Sequence, residues 1–357
     1  MKREHRRYLL GFAAAGFFIC MALFPGSIYA GARRGLDLWA GILVPAMLPF
    51  FILAEILMAS GILRLLGRLL SPVMGPLFNL PGAGGLGIAL GYTSGFPMGA
   101  VISSRLYQEG FLRRDEAGRL LAFTNNSSPG FLLTSLAAGM LGNPAFGLLF
   151  VLCHYGSNLI FGMILGIASR FPIRKAAKRG GAAAGDRAKE TGWRQQAEEA
   201  KAAGDPSRRS DLSPSFSRII TESISSAIQS ILALGGFVLL FAAALQLLED
   251  LYLLDRLARL FAFFLPAGLY VAPLSKALAT GFIELTLGLR QLTAIPLAAA
   301  DMVTYCLIIL GWSGLSIQAQ VMGLAGTARL PLKYYLMGCI VQPLLSLLLL
   351  RFCLFLL

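Results

Sequence analysis

The heptapeptide GYTSGFP, residues 91–97, interrupts an apolar segment that runs from residue 82 to residue 103. A second interruption, GFIELT at residues 281–286, lies within the apolar segment 273–289. Glycine and proline end regular helices, whereas serine, threonine and glutamate place polar groups inside an otherwise apolar stretch. Each segment therefore predicts a re-entrant hairpin that turns near the middle of a membrane.

Two further apolar segments are long enough to cross a membrane but contain polar breaks. The first, residues 117–140, is broken by TNNSSP at residues 124–129, and the second, residues 292–324, is broken by GWSG at residues 311–314. Unwound backbone at membrane depth persists only where protein or a watery cavity satisfies its peptide groups. Four breaks in one chain therefore predict discontinuous helices around an internal polar site.

The composition excludes an ordinary soluble domain. Of the 357 residues, 56% are hydrophobic and only 14% are charged. A hydrocarbon core of about 30 Å needs roughly 20 apolar helical residues, so we count membrane spans instead of globular cores. Uninterrupted spans are predicted at residues 8–30, 38–60, 144–168, 219–248 and 334–357.

The net charge of +13 does not indicate a nucleic-acid-binding protein, because the basic residues lie mainly in the polar connections between apolar segments. This distribution is typical of the positive-inside rule. The five cysteines lie in apolar stretches without paired spacing, so we expect neither disulfides nor a metal site. The basic residues 2–7 before an apolar run also fit a signal peptide, but the spans that follow favour an uncleaved first helix.

The chain contains a duplicated pattern. An amphipathic stretch with Arg64 and Arg68 on one face follows the second span, and a similar stretch with Arg256 and Arg259 appears about 190 residues later. Each half would then run span, interfacial helix, hairpin, broken helix, span. The predicted division is an extra N-terminal transmembrane helix at residues 1–30, a first repeat at 31–169, a basic disordered linker at 170–218 and a second repeat at 219–357.

The distribution of charge also predicts the topology. If both hairpins are re-entrant, the N-terminus, the linker and the basic loops near Arg105 and Arg329 all lie on the cytoplasmic side, and the two halves are inverted. The linker is either a solvated tether or a segment that contacts anionic lipid head groups. The basic residues that this topology leaves on the opposite side are Arg33, Arg34, Arg256, Arg259 and Arg290.

The first half supplies candidate groups for binding a solute. The hairpin offers hydroxyl groups and a backbone that is free to turn, and the N-termini of its half-helices favour a carboxylate. The alternative is that its glycine and proline only permit close helix packing. The break offers amide and hydroxyl groups, some of which must cap helix ends, and Asn126 is the first choice for solute contact. The candidates are Thr93, Ser94, Gly95, Pro97, Asn125, Asn126, Ser127 and Ser128.

In the second half, Glu284 is the most informative residue, because an acid inside an apolar hairpin is costly unless it is paired, hydrated or protonated. It is either a coupling site for a proton or cation or a structural cap, with Thr286 as its neighbour. An acid is poorly suited to direct contact with a dianion. At the second break, Trp312 is a candidate to stack on a planar solute, and Ser313, Ser316 and Gln318 are candidates to hydrogen-bond it.

No motif for an enzyme is present, since the chain contains no nucleophile elbow, HExxH pattern, P-loop or dinucleotide fingerprint in a suitable context. The missing P-loop also argues against ATP-driven pumping by this chain. We therefore expect neither catalysis nor a cofactor.

Taken together, residues 91–100, 115–117, 123–129, 281–288 and 311–316 resemble the sporulation integral membrane protein family YlbJ, also called SpoVV. The likeness extends over nearly the whole chain outside the linker. Both halves are similar to the nucleoside-recognition or gate domain, which is related to concentrative nucleoside transporters. The resemblance implies an all-α polytopic membrane protein, an inverted repeat with re-entrant hairpins and broken helices.

The resemblance also implies a role in forming endospores. The expected function is transport of dipicolinic acid, a small anionic aromatic solute, from the mother cell across the outer forespore membrane. The alternatives are transport of a nucleoside or another small polar metabolite, and a sporulation scaffold that transports nothing. The expected partners are the solute, membrane lipid and other sporulation membrane proteins, but not nucleic acid.

Overall fold

The computed structural model describes residues 2–60, 62–170, 216–268 and 270–356, so most of the predicted linker lies outside the described residues. Every regular element within these ranges is a helix. This finding confirms the predicted all-α polytopic class. The helical stretches that are long and apolar enough to cross a membrane are Pro25–Leu57, Ala145–Ala168, Ser217–Asp250, Ala299–Thr327 and Lys333–Phe355.

The first helix ends earlier than predicted. Helix α1 spans Lys2–Leu23, and α2 spans Pro25–Leu38. Proline suits the first turn of a helix, because its missing N–H group would have no partner there in any case. Helix α2 then continues through a π-helical segment, π1 (Trp39–Leu43), into α3 (Val44–Ala59). The break between the first two helices thus lies at Phe24, and residues 25–57 form one candidate span. The division of the chain into an N-terminal helix and two repeats stays a prediction.

The rest of the first half contains short helices followed by one long helix. Helix α4 and the π-helical π2 precede a pair of short helices, and the interrupted helix and a final long helix come next. Their bounds are α4 Ile62–Val73, π2 Met74–Phe78, α5 Gly84–Ser94, α6 Met98–Gln108, α7 Arg114–Thr124, π3 Phe131–Met140 and α8 Ala145–Ala168.

The second half repeats this order of elements. A long helix is followed by a short amphipathic helix, two short paired helices, an interrupted helix and a final long helix. The inverted relation of the two halves stays a prediction. The bounds are α9 Phe216–Asp250, α10 Leu253–Ala262, α11 Val271–Ile283, α12 Leu285–Thr293, α13 Ala299–Trp312, α14 Gly314–Thr327 and α15 Lys333–Leu356.

The paired short helices are too short to cross a membrane singly. Helices α5 and α6 pack against each other as hairpin 1, and α11 and α12 pack as hairpin 2. At 1.5 Å per residue, these arms are only about 14–20 Å long, against a hydrocarbon core of about 30 Å. Both hairpins therefore have the dimensions of re-entrant segments.

Local chemistry explains the two breaks. Helix α7 ends at Thr124, and Pro129 disfavours the helical conformation at Ser128. The Ser128 hydroxyl then accepts a hydrogen bond from the Phe131 N–H (3.2 Å) and so caps π3. Between α13 and α14, Ser313 and Gly314 have φ angles of +69° and +75°. We call α7 with π3 broken helix 1, and α13 with α14 broken helix 2.

Each hairpin packs tightly against the break in its own half. A Cβ atom added to Gly91 of hairpin 1 would lie 2.2 Å from the backbone oxygen of Thr124. In the second half, a Cβ atom on Gly314 would lie 2.9 Å from the backbone nitrogen of Leu285. Glycine therefore permits backbone-to-backbone contact between hairpin and broken helix in both halves.

Polar contacts gather the connecting segments at two ends of the molecule. At the end where α9 begins, Arg114 Nε donates to the Arg329 carbonyl (2.7 Å), and the Tyr334 hydroxyl donates to Asp115 (2.6 Å). At the end where α9 finishes, Arg34 pairs with Glu249 (3.4 Å). The sides of the membrane on which these two groups of contacts lie stay a prediction.

Candidate functional site

A cavity of about 520 Å³ lies where the two hairpins, the two broken helices and the pair α3 and α9 meet. We call it the main cavity. Its volume is within the usual range for a small-molecule site. Elements from both halves contribute to its wall. The lining residues that the sequence predicted are Ser94, Gly95, Pro97, Ser127, Ser128, Glu284, Thr286 and Ser316.

Hairpin 1 and broken helix 1 meet through their backbones at this cavity. Gly95 has a φ angle of +77°, and a Cβ atom there would lie 2.6 Å from the Ser128 nitrogen. The hydroxyl oxygens of Ser94 and Ser127 have no hydrogen-bond partner among the described residues. Both oxygens are buried within the wall of the cavity, where an unsatisfied hydroxyl is costly.

Other candidates from the first half point elsewhere. The Thr93 hydroxyl donates to the Ala89 carbonyl (2.7 Å) inside α5, and Asn126 Nδ2 donates to the Phe123 carbonyl (3.1 Å). Neither side chain lines the main cavity, and Asn125 does not line it either. Asn126 therefore lies outside the lining of the main cavity, with its Nδ2 at the end of α7, and its role as a solute contact stays a prediction.

One tyrosine and one histidine side chain contact the backbone of broken helix 1 at its break. The Tyr155 hydroxyl donates to the Ser127 carbonyl (2.8 Å), while the Ser127 N–H approaches His154 Nε2 at 3.5 Å. Both side chains belong to α8. They satisfy peptide groups that the break removes from the helix, as the cost of unpaired backbone in a membrane requires.

Glu284 both caps a helix and faces the main cavity. It has an extended backbone at the N-cap of α12, and its Oε2 accepts from the Leu287 N–H (2.7 Å) and the Thr286 hydroxyl (2.6 Å). Only 4% of its surface is exposed. The structure thus shows Glu284 as a helix cap at the cavity wall, and its role as a coupling site for a proton or cation stays a prediction.

The second break places three candidates outside the cavity. The Trp312 ring stacks on Phe282 (4.7 Å between ring centroids), and its Nε1 donates to the Phe282 carbonyl (2.9 Å). Gln318 Nε2 donates to the Trp312 carbonyl (3.0 Å), and the Ser313 hydroxyl donates to the Leu310 carbonyl (3.2 Å). Trp312 therefore joins hairpin 2 to broken helix 2 outside the main cavity, and its stacking on a solute stays a prediction.

Sequence reasoning missed a polar stripe on α9. Ser226, Gln229 and Ser230 line the main cavity, and Gln320 of α14 does the same. Positions 226, 229, 230 and 233 follow the spacing of one helix face, so the stripe was detectable as polar residues on one side of an apolar span. Glu55 of α3, a polar residue within a predicted span, lines the same cavity.

The main cavity combines apolar walls with acids and neutral polar groups. Phe51, Phe96, Phe131 and Phe237 contribute aromatic surface. The charged residues in its lining are Glu55 and Glu284, and no lysine, arginine or histidine is among the described lining residues. A solute with a bare negative charge would therefore meet like charge, whereas a neutral or cation-paired solute would not.

Comparisons with known proteins agree with this architecture. Residues 40–169 match the nucleoside recognition family named Gate. The chain is 33% identical over 323 residues to the sporulation integral membrane protein YlbJ of Bacillus subtilis, across 89% of this chain and 75% of that protein. It is also 29% identical over 132 residues to an uncharacterised protein of Alkalihalophilus pseudofirmus, across 35% and 28% of the two chains. No solved structure matches significantly. The chain thus belongs to the YlbJ family of sporulation integral membrane proteins.

Proposed function

We propose that this protein is a secondary transporter that carries a small, planar, polar solute through the main cavity by alternating access. One observation carries this proposal: the tips of both hairpins, the break of broken helix 1 and the first turn of α14 after the second break line the same cavity. Transporters with repeated halves bind their solutes at such an interface, with the ends of half-helices directed at the ligand.

The position of the main cavity along α9 supports this mechanism. The cavity contacts α9 at residues 226–238, towards the end that follows the linker. A second cavity of about 310 Å³ contacts α9 farther along, at Ala242, Leu245 and Glu249. The two cavities contact successive parts of α12, since Thr286 lines the first and Leu287, Arg290 and Gln291 line the second. Movement of hairpin 2 would connect them.

Dipicolinic acid is the first candidate for the solute, carried from the mother cell across the outer forespore membrane. Membership in a sporulation family supports this assignment, and the aromatic walls suit a planar ring. Its two carboxylates would face Glu55 and Glu284 without a basic side chain to oppose them. We therefore propose that protons or cations enter with the solute, and that Glu284 is the coupling residue.

A nucleoside is the second candidate, because it is planar, polar and uncharged. The match to a nucleoside recognition family and the lack of basic residues among the described lining residues favour it. Serine hydroxyls such as those of Ser94, Ser128 and Ser316 can bond a ribose or a base equally well.

Uptake by proteoliposomes tests these proposals. The purified protein should accumulate radiolabelled dipicolinate, or uridine if the second candidate is correct, and empty liposomes should not. Ser128→Ala and Ser316→Ala should each reduce uptake about tenfold, since one hydrogen bond to a charged group is worth about 1.5–3 kcal/mol. The matched control is Ser103→Ala, a buried serine that does not line the cavity. Uptake of neither solute by inserted protein would favour a scaffold that transports nothing.

A further inference from the structure

The second cavity has a charge pattern that differs from that of the main cavity. It lies between α2, α9 and hairpin 2, and two arginines, Arg34 and Arg290, are in its wall. Arg290 also lines a neighbouring cavity of about 460 Å³. Arg34 and Arg290 are among the basic residues that the predicted topology leaves on the side opposite the cytoplasm, so the positive-inside rule does not explain them.

The acids in the second cavity are already paired. Asp37 pairs with Arg33 (3.1 Å), and Glu249 pairs with Arg34 (3.4 Å) and with Lys276. Arg290, by contrast, has no acidic partner within 4 Å among the described residues. It is exposed at the rim of the second cavity. The two arginines and two acids of the lining balance in number, but Arg290 is the basic side chain of the lining that is not paired with an acid among the described residues.

Neutral donors lie in the floor of the same cavity. The buried Thr280 hydroxyl donates to Gln291 Oε1 (2.9 Å), which leaves the amide nitrogen of Gln291 free to donate elsewhere. A planar guanidinium beside an amide donor is suited to a carboxylate, because it can form two parallel hydrogen bonds with it. Leu38, Leu254 and Leu287 supply apolar wall for the rest of a small organic anion.

We propose that the second cavity is a binding site for a small carboxylate anion, with Arg290 as its principal ligand and Gln291 as a supporting donor. The site contacts α12 at Leu287, Arg290 and Gln291, directly after the segment of hairpin 2 that lines the main cavity, so a solute would pass it on one side of the main cavity. Its place on the solute path rests on the proposed transport function, whereas the binding of an anion does not.

A charge-selective thiol reaction tests anion binding without transport. The probe site is Leu287→Cys in a chain whose five native cysteines are replaced by alanine. The rates of its reaction with anionic sulfonatoethyl and cationic trimethylammonioethyl methanethiosulfonate are compared. Arg290→Gln should lower the ratio of anionic to cationic rate about threefold or more, as expected for removing one charge a few ångströms away in water. High salt should lower it as well.

Two further variants serve as controls. Arg290→Lys should keep most of the ratio, because the charge remains. Arg351→Gln should leave it unchanged, since Arg351 is exposed near the end of α15 and lines none of these cavities. If the Leu287→Cys chain does not insert, Gln291→Cys replaces it as the probe site. If the ratio of anionic to cationic reaction rates is the same in the wild-type and Arg290→Gln backgrounds, the proposal is overturned.

Uptake separates this proposal from the proposed function. In proteoliposomes, Arg290→Gln should raise the dipicolinate concentration at half-maximal uptake severalfold, with the maximal rate unchanged. If the wild-type protein carries no dipicolinate but the ratio of thiol reaction rates still falls in Arg290→Gln, the anion site stands and the transport function fails. If dipicolinate is carried and the ratio does not change, the anion site is wrong and the transport function stands.

Discussion

The carboxylate of Glu284 accepts a hydrogen bond from the backbone N–H of Leu287 over 2.7 Å, and this bond caps α12 at the wall of the main cavity. The hydroxyl of Thr286 donates to the same oxygen. Both donors can also bond to an amide oxygen. The structural role of this side chain can therefore be separated experimentally from its ability to bind a proton or cation.

The first prediction concerns Glu284→Gln. The amide oxygen keeps the cap, so the protein should insert and remain stable, but the side chain can no longer exchange a proton. Uptake driven by a pH or cation gradient should fall at least about tenfold, whereas exchange of labelled for unlabelled solute should continue. Proteoliposomes with and without an imposed gradient measure both quantities.

The matched control is Glu55→Gln, which removes the other carboxylate of the main cavity. Among the described residues, the cap of α12 is made by Glu284 with Thr286 and Leu287, so Glu55→Gln tests charge without touching the cap. It should retain gradient-driven uptake. Normal gradient-driven uptake by a stable Glu284→Gln protein would eliminate the coupling role and leave Glu284 as a cap alone.

The hairpins and the breaks were predictable because their signals are local. Residues 91–97 and 124–129 contain glycine, proline and small polar side chains within apolar segments. Such residues interrupt a helix at their own positions in the chain. The structure interrupts the helices at both places. The candidates at hairpin tips followed from the same signals, and the tips of both hairpins do line the main cavity.

The direction of individual side chains was not predictable in the same way. Within an unwound segment no helical period fixes which residue faces a cavity, so Asn126 and Ser127 could not be distinguished by position. The structure turns Asn126 to the Phe123 carbonyl and Ser127 to the cavity. The contribution of α9 depends on tertiary packing between distant elements, and the repeat pattern alone does not specify that packing.

The second prediction concerns the contact between hairpin 1 and broken helix 1. Gly91→Ala would place a methyl group 2.2 Å from the Thr124 carbonyl oxygen, and backbone cannot move aside as a flexible side chain can. We expect a loss of about 1–3 kcal/mol or more of stability. Gly236→Ala, in the long helix α9 with open space around the added atom, is the control and should be neutral or slightly stabilising.

Thermal aggregation of the detergent-solubilised protein would measure both variants. The apparent melting temperature of the Gly91→Ala protein should fall by several degrees, while that of the Gly236→Ala protein should not. Equal stability of the two variants would mean that hairpin 1 does not lie directly on the break.

The third prediction concerns Arg119, whose side chain is only 4% exposed. Its guanidinium donates to the carbonyls of Phe78 and Asn79 and to the Ser169 hydroxyl, each at 3.0 Å. Arg119→Gln would leave several of these acceptors unpaired and should cost at least about 1.5 kcal/mol. Its control, Arg105→Gln, removes an exposed pair and should cost less than about 1 kcal/mol.

The same melting assay tests this third prediction. Because Arg119 joins the end of π2 to α7 and to the end of α8, the loss should also make the chain easier to cleave by protease near residue 170. A protein with Arg119→Gln that is as stable and protease-resistant as the Arg105→Gln protein would contradict the role of this cluster.

The last prediction concerns access to the main cavity along α9. Gln229 lines the main cavity, and Asp250 is exposed at the far end of the helix, about 32 Å away along its axis. In a chain without other cysteines, Gln229→Cys should react with a membrane-impermeant maleimide only from the side on which the linker lies. Asp250→Cys should react only from the opposite side. A saturating solute should slow the reaction at residue 229 severalfold and leave residue 250 unaffected, because only the former lies in the binding cavity. Labelling of both positions from one side would contradict the crossing of α9, and labelling at residue 229 that no tested solute slows would place the solute site elsewhere.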